Sequence, residues 1–201
     1  MKLSPLFLIL CVILTGCCCM SGKGPVPPSP AEITFDNQAS LDSLAPLDKS
    51  KAVADEKDDL LWYDARDLTI EGRGWNDTET FYERLPRRAK DKVTPDVRNL
   101  CTHTAGMAVR FVTDAKKIRA DWATGGFDMK HMAATGIRGL DMYARIDGQW
   151  VFKGIGRPDS NPTNAIIGQW IAPMTGEPTE YILYLPLYDS VKELKLGIPK
   201  D

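Results

Sequence analysis

In segment after segment beyond residue 60, apolar side chains recur at every second position. No stretch of three turns carries a helical apolar period in their place. The clearest run is 140–146. Leu140, Met142, Ala144 and Ile146 fall on one face, and Asp141, Tyr143 and Arg145 on the other. Asp147-Gly148 follows, the composition of a two-residue hairpin turn, so 149–153 reads as the returning strand. Residues 107–112 and 117–123 alternate around a turn at 113–116 and predict a second hairpin with one face in water. Segments 60–63, 68–70, 166–171, 180–185 and 191–198 add further short strands between Gly- and Pro-containing turns. About eight short strands with no long helix predict an all-β fold, an antiparallel β-sandwich.

The sandwich does not begin at the first residue. Lys2 precedes an apolar run over 3–14, long enough for a signal peptide and too short for a membrane span. The run ends in Leu14-Thr15-Gly16-Cys17, the spacing of a bacterial lipobox, which marks Cys17 as the lipid-modified first residue of the mature protein. Cleavage by an ordinary signal peptidase, or an uncleaved anchor, stays open. The expected organisation is a signal peptide at 1–16, a tether at 17–59 and the sandwich at 60–201. Pro25, Pro27, Pro28 and Pro30 keep the tether extended, and its low hydrophobicity gives no core to collapse around. A short helix within 49–57 is compatible with its composition. These features predict a lipoprotein of the bacterial cell envelope, held to a membrane and facing the periplasm or the exterior. The net charge of −2 gives no argument for a nucleic-acid partner. Cys101 stands alone in the folded part and reads as a small buried hydrophobe; Cys18 and Cys19 are open to acylation or oxidation.

Two segments imitate hydrolase chemistry. Leu41-Asp42-Ser43-Leu44 resembles a serine block, and Asp128-Met129-Lys130-His131 offers an Asp-x-x-His pair. Ser43 sits in the tether, a leucine replaces the close-approach glycine, and no βαβ pattern joins the two. Ser160 and Ser190 lie in turn compositions and not at a strand-to-helix elbow. No catalytic residue is therefore assigned, and the chain alone is expected not to hydrolyse esters. Cys101, His103 and His131 lack metal-ligand spacing, so no metal and no cofactor are expected. Arg84, Arg87, Arg88, Lys90 and Lys92 read as a solvated loop near Glu83 and Asp91. The candidate substrate-binding residues are His131, in the loop before the 140–146 strand, Trp75, in a Gly-rich loop, and Arg157, after Gly156. Trp122 falls on a core face by alternation, and most of the other tryptophans read as core. Asp141 is expected to accept backbone N–H bonds, with Tyr143 covering it.

Gly139-Leu140-Asp141-Met142-Tyr143, preceded by the small residues 133–136, resembles the G-x-D-L-Y signature of the domain found N-terminal to SGNH-type (GDSL-like) esterases. Gly72-Arg73-Gly74-Trp75, Arg84-Leu85-Pro86, residues 109–114, Gly156-Arg157-Pro158 and residues 184–188 extend the likeness from about 60 to 198. Met142 stands where the signature has Leu, a swap that conserves volume. The larger departure is that the family continues into a catalytic domain where this sequence reaches Asp201. The resemblance implies a jelly-roll-like sandwich with Gly139, Asp141 and Tyr143 as its structural motif. It implies an SGNH catalytic domain as partner and a carbohydrate ester or other acyl ester as ligand. The expected function is an accessory substrate-binding domain. The alternatives are the N-terminal part of an esterase whose catalytic domain is encoded downstream, and a structural surface lipoprotein.

Overall fold

The computed structural model describes residues 44–57, 59–158, 167–173 and 176–200, the strand at 167–173 by its backbone. The expected signal peptide, Cys17, the expected tether as far as residue 43, and Ser160 lie outside them. Ten strands appear in chain order: β1 (Val53–Asp55), β2 (Leu60–Asp64), β3 (Thr69–Glu71), β4 (Ala108–Thr113), β5 (Lys117–Thr124), β6 (Leu140–Ile146), β7 (Gln149–Gly156), β8 (Ile167–Pro173), β9 (Thr179–Tyr184) and β10 (Val191–Pro199). Two short helices, α1 (Pro95–Leu100) and α2 (Ala134–Arg138), lie in the loops.

The first sheet runs β1-β2-β10-β5-β8 and the second β3-β4-β9-β6-β7. Every strand pairing is antiparallel. Four of the pairs are nested in sequence: β2 with β10, β4 with β9, β5 with β8, and β6 with β7. A long folded-back ribbon has been rolled up, so that β10 also meets β5 and β9 also meets β6. That winding is a jelly roll, the sandwich expected from the resemblance.

The β6–β7 hairpin forms as the alternation predicts. Asp147 and Gly148 both take positive φ (50° and 77°), the pairing a two-residue turn of this hand requires. The expected hairpin between 107–112 and 117–123 does not form. β4 lies in the second sheet and β5 in the first, so residues 114–116 cross the sandwich edge. Alternation reports which side chains share a face; it does not report which strand lies alongside. β4 has no wet face either, because Arg110 on its outer side is 3% exposed beneath acidic partners.

Between the sheets sit Met107, Val109 and Phe111, then Ile118, Ala120 and Trp122, with Leu140, Met142, Tyr181, Leu183, Leu194 and Leu196 facing them. Trp122 has no exposed surface, and its indole N–H donates to the carbonyl of Arg138 at 3.0 Å, so burial leaves no polar group orphaned there. Removing such a side chain typically costs about 3–5 kcal/mol.

Residues 44–57, read as the end of the tether, lie against the sandwich. Leu47 N–H donates to Val112 at 2.9 Å, a 3-10 turn covers Lys49–Lys51, and β1 pairs with β2 through Val53↔Trp62 and Asp55↔Leu60. The short helix expected within 49–57 is that single 3-10 turn followed by a strand. The β2 edge supplies unpaired backbone groups, and their demand outweighs the weak local preference of the segment.

Candidate functional site

Strand register places the long loops. The first residues of β6 pair with the ends of β7 and β9 (Leu140↔Gly156, Asp141↔Tyr184), and Ala108 at the start of β4 pairs with both Tyr184 and Glu71. On the first sheet the end of β5 meets the start of β10 at Thr124↔Val191. The segments 72–107, 125–139, 157–158 and 185–190 therefore all stand at one end of the sandwich. Trp75, His131 and Arg157 stand in three of these segments. The fold brings the three candidates to one end.

The loops at this end are held by Asp189, a buried residue that sequence reasoning did not single out. Its Oδ2 accepts from the N–H groups of Gly126 and Phe127, both at 2.9 Å, and its Oδ1 accepts from Ser190 N–H at 2.7 Å. Its carbonyl accepts from Thr104 N–H at 3.1 Å, and Tyr188 N–H donates to Ile137 at 3.1 Å. Through its carboxylate and its carbonyl together, Asp189 thus joins three of the loops. The burial and backbone bonds expected of Asp141 belong to Asp189 instead. Asp141 is exposed on the outer face of β6, beside Tyr184 and Ile155. Alternation had already put Asp141 on the polar face.

Gly139 explains its own place in the motif. It follows α2, and its N–H returns to the Thr135 carbonyl at 3.0 Å. A Cβ there would come within 2.3 Å of that same oxygen and 3.0 Å of the Gly156 carbonyl. The backbone can approach this closely only at glycine. Tyr143 lies half-buried on the outer face, edge-on to Phe152 (5.5 Å) and to Tyr184 (5.8 Å). Beside them Arg110 is clamped between Glu71 (2.6 Å) and Glu180, and Arg145 joins Glu180 at 3.2 Å.

His103 is the buried histidine of this end. Its ring lies 5.3 Å from that of Phe127, and burial holds its pKa below the usual histidine value against the opposing charge of Asp189. Cys101 is free and buried, and its Sγ lies 3.3 Å from Glu83 and 3.0 Å from the Arg98 carbonyl; burial first, then Glu83, pushes its thiol up to about 11. Among the described residues, no group of three or more His, Cys, Asp or Glu side chains is placed to hold a metal ion. His131 is exposed, while Cys101 and His103 are buried.

Trp75 is 39% exposed, with the Arg88 guanidinium 4.5 Å from its ring. The basic cluster is paired as a loop network. Arg88 meets Asp77 at 2.6 Å, Lys90 meets Glu79 at 2.6 Å, and Arg84 donates to the Leu100 carbonyl at 2.5 Å. Its acidic partners are Asp77 and Glu79. Arg157 is exposed. The end as a whole offers an aromatic ring, an imidazole and a guanidinium on a braced frame. That set can stack on and hydrogen-bond to a polar ligand.

The family model for the N-terminus of SGNH-hydrolase-type esterases, named for its GxDLY motif, matches residues 60–201. The chain belongs to this family. A crystal structure of a protein described as a GDSL-like lipase from Bacteroides ovatus resembles this GxDLY domain with a TM-score of 0.65 and 29% identity. The match covers 71% of this chain and 41% of that one, so the GxDLY domain spans about two fifths of the lipase chain. No curated protein matches the chain.

Proposed function

We propose that this GxDLY domain is the accessory, substrate-binding part of an SGNH-type esterase system, without catalytic activity of its own. It works beside an SGNH catalytic domain, held at a membrane of the bacterial cell envelope by lipid on Cys17. Its loop-bearing end holds an acylated carbohydrate through Trp75, His131 and Arg157. The observation that supports a non-catalytic role is the state of Ser190, His103 and Asp189. These are the three groups of a hydrolase triad, and they lie at one end of the fold. Asp189 spends both oxygens on backbone N–H groups, and no hydrogen bond joins any two of the three side chains. A serine nucleophile needs a base within hydrogen-bond reach and a third group that orients the base.

The test is p-nitrophenyl acetate hydrolysis by the purified chain, compared with Ser190→Ala and His103→Ala. The buffer rate is expected for all three proteins. Turnover well above it, abolished by either change, would make the chain a hydrolase and end the accessory reading. Mass spectrometry of the mature N-terminus tests the anchor separately, and diacylglycerol on Cys17 is the expected result.

A further inference from the structure

The outer face of the first sheet carries a groove of about 650 Å³, within the usual range of roughly 300–1,000 Å³ for ligand sites. It lies on strands β1, β2, β10 and β5, away from the braced loops. Its floor follows from strand register. On one rung Trp62, Gly197 and Arg119 stand side by side across β2, β10 and β5. On the next stand Asp64, Lys195 and Asp121. Residues 53–57 form one wall.

Trp62 is laid flat by its neighbour. A Cβ on Gly197 would come within 3.0 Å of three atoms of the indole ring, so the ring rests on bare backbone. From the far side of that glycine the Arg119 guanidinium reaches over the ring, 5.5 Å from its centre. One ring face is occupied by the sheet, and the ring lines the groove as a shelf. Such a shelf suits the apolar C–H face of a pyranose ring, and aromatic burial gives it most of its energy.

The second rung supplies polar recognition. Asp64 is held by Arg66 through bonds of 2.5 to 3.1 Å, and Asp121 by Arg119 at 3.0 Å. Lys195 lies between the two carboxylates, and adjacent strands are about 4.8 Å apart. The floor therefore alternates acceptor, donor, acceptor. A sugar hydroxyl is both donor and acceptor, so neighbouring hydroxyls match that alternation, whereas a cationic side chain meets Lys195 at its centre. Counting the walls and Glu193, five carboxylates (Asp55, Glu56, Asp64, Asp121, Glu193) line the groove with two lysines (Lys57, Lys195), and Arg66 and Arg119 pair with two of those carboxylates, so the charges nearly balance and favour neither a polyanion nor a polycation.

We propose that this groove is a second binding site, for an uncharged sugar chain, with Trp62 as its stacking platform. It stands apart from the loop-end reading, and neither depends on the other. The full chain is titrated by calorimetry and tryptophan fluorescence against cellohexaose, xylohexaose, mannohexaose and chitohexaose. Polygalacturonate serves as the anionic control and polylysine as the cationic one. At least one hexasaccharide is expected to bind. Trp62→Ala should weaken it at least ten-fold, Trp62→Phe less, and Lys195→Met several-fold, while Phe152→Ala, exposed on β7 of the second sheet, changes nothing. Lys195 is exposed, so its variant reads binding even where Trp62→Ala fails to fold. The groove is refuted by binding to none of the four hexasaccharides, or by affinity for polygalacturonate or polylysine alone. Sugar binding abolished by Trp75→Ala and untouched by the Trp62 and Lys195 variants also refutes it, and assigns the sugar to the loop end.

Discussion

Replacing Asp189 with alanine removes the carboxylate that ties the 185–190 loop to the 125–139 loop. The side chain is 2% exposed and accepts three backbone N–H bonds of 2.7 to 2.9 Å. Bonds to a charged acceptor contribute about 1.5–3 kcal/mol each when their donors are fully buried. Here the donors are only partly buried, since Phe127 is exposed and Gly126 half-buried. Once the loop loosens, water can take up those two amides. A net loss of about 2–4 kcal/mol follows. In a domain of this size each kcal/mol moves the melting temperature by about 2–4 °C, so a fall of roughly 5–15 °C is expected. Asp189→Asn keeps one acceptor oxygen and should lose about half as much. Asp141→Ala is the internal control: its side chain is exposed, and a change within about 0.5 kcal/mol is expected. Thermal melts followed by circular dichroism measure all three. A melting point for Asp189→Ala within 2 °C of the parent (~0.5–1 kcal/mol) would refute the reasoning. So would a larger loss for Asp141→Ala than for Asp189→Ala.

Three further outcomes follow from the same loops. Burial depresses the pKa of His103 below its usual value of 6.5, so below about pH 6.5 the unfolded chain binds more protons than the folded one. Stability should fall as pH drops from about 6.5 toward the folded-state pKa and level off beneath it; urea melts across pH should show His103→Gln flattening that window. Gly139→Ala should destabilise the fold by about 1–3 kcal/mol, because its Cβ meets the Thr135 carbonyl at 2.3 Å. Gly136→Ala, whose nearest neighbour would be Met132 at 3.5 Å, serves as the neutral comparison in the same melts. The Cys101 thiol, pushed up to about 11 and buried, should resist iodoacetamide at pH 8 in the native protein and react on unfolding. Labelling at equal rates in both states would contradict that.

The faces of the strands were legible in the sequence, and their partners were not. Leu140, Met142 and Ala144 point inward, as alternation requires, and Ile118, Ala120 and Trp122 do the same. Alternation is a property of one strand, whereas pairing depends on contacts far along the chain. That is why β4 and β5, adjacent in sequence, parted into different sheets. The buried Arg110 was hidden for the same reason: Glu71 and Glu180 reach it from β3 and β9. Trp75, His131 and Arg157 were legible as loop residues, and register explains their common end. Asp189 was missed because a lone aspartate in a turn composition looks the same whether it meets water or a row of amides. The groove at Trp62 was invisible because it needs Gly197, 135 positions further on, to be bare.

The nested winding sets the order in which the sandwich can close. β10 lies between β2 and β5, so until Val191–Pro199 is in place β2 has only β1 beside it and β5 only β8. A chain emerging from a ribosome or a translocation channel can build the β6–β7 hairpin early, from local contacts. The first sheet must wait for its central strand, the last of the ten in sequence. Such long-range closure is slow, on the order of milliseconds to seconds, and it is cooperative. A newly made copy therefore stays open and threadable until its final strand arrives.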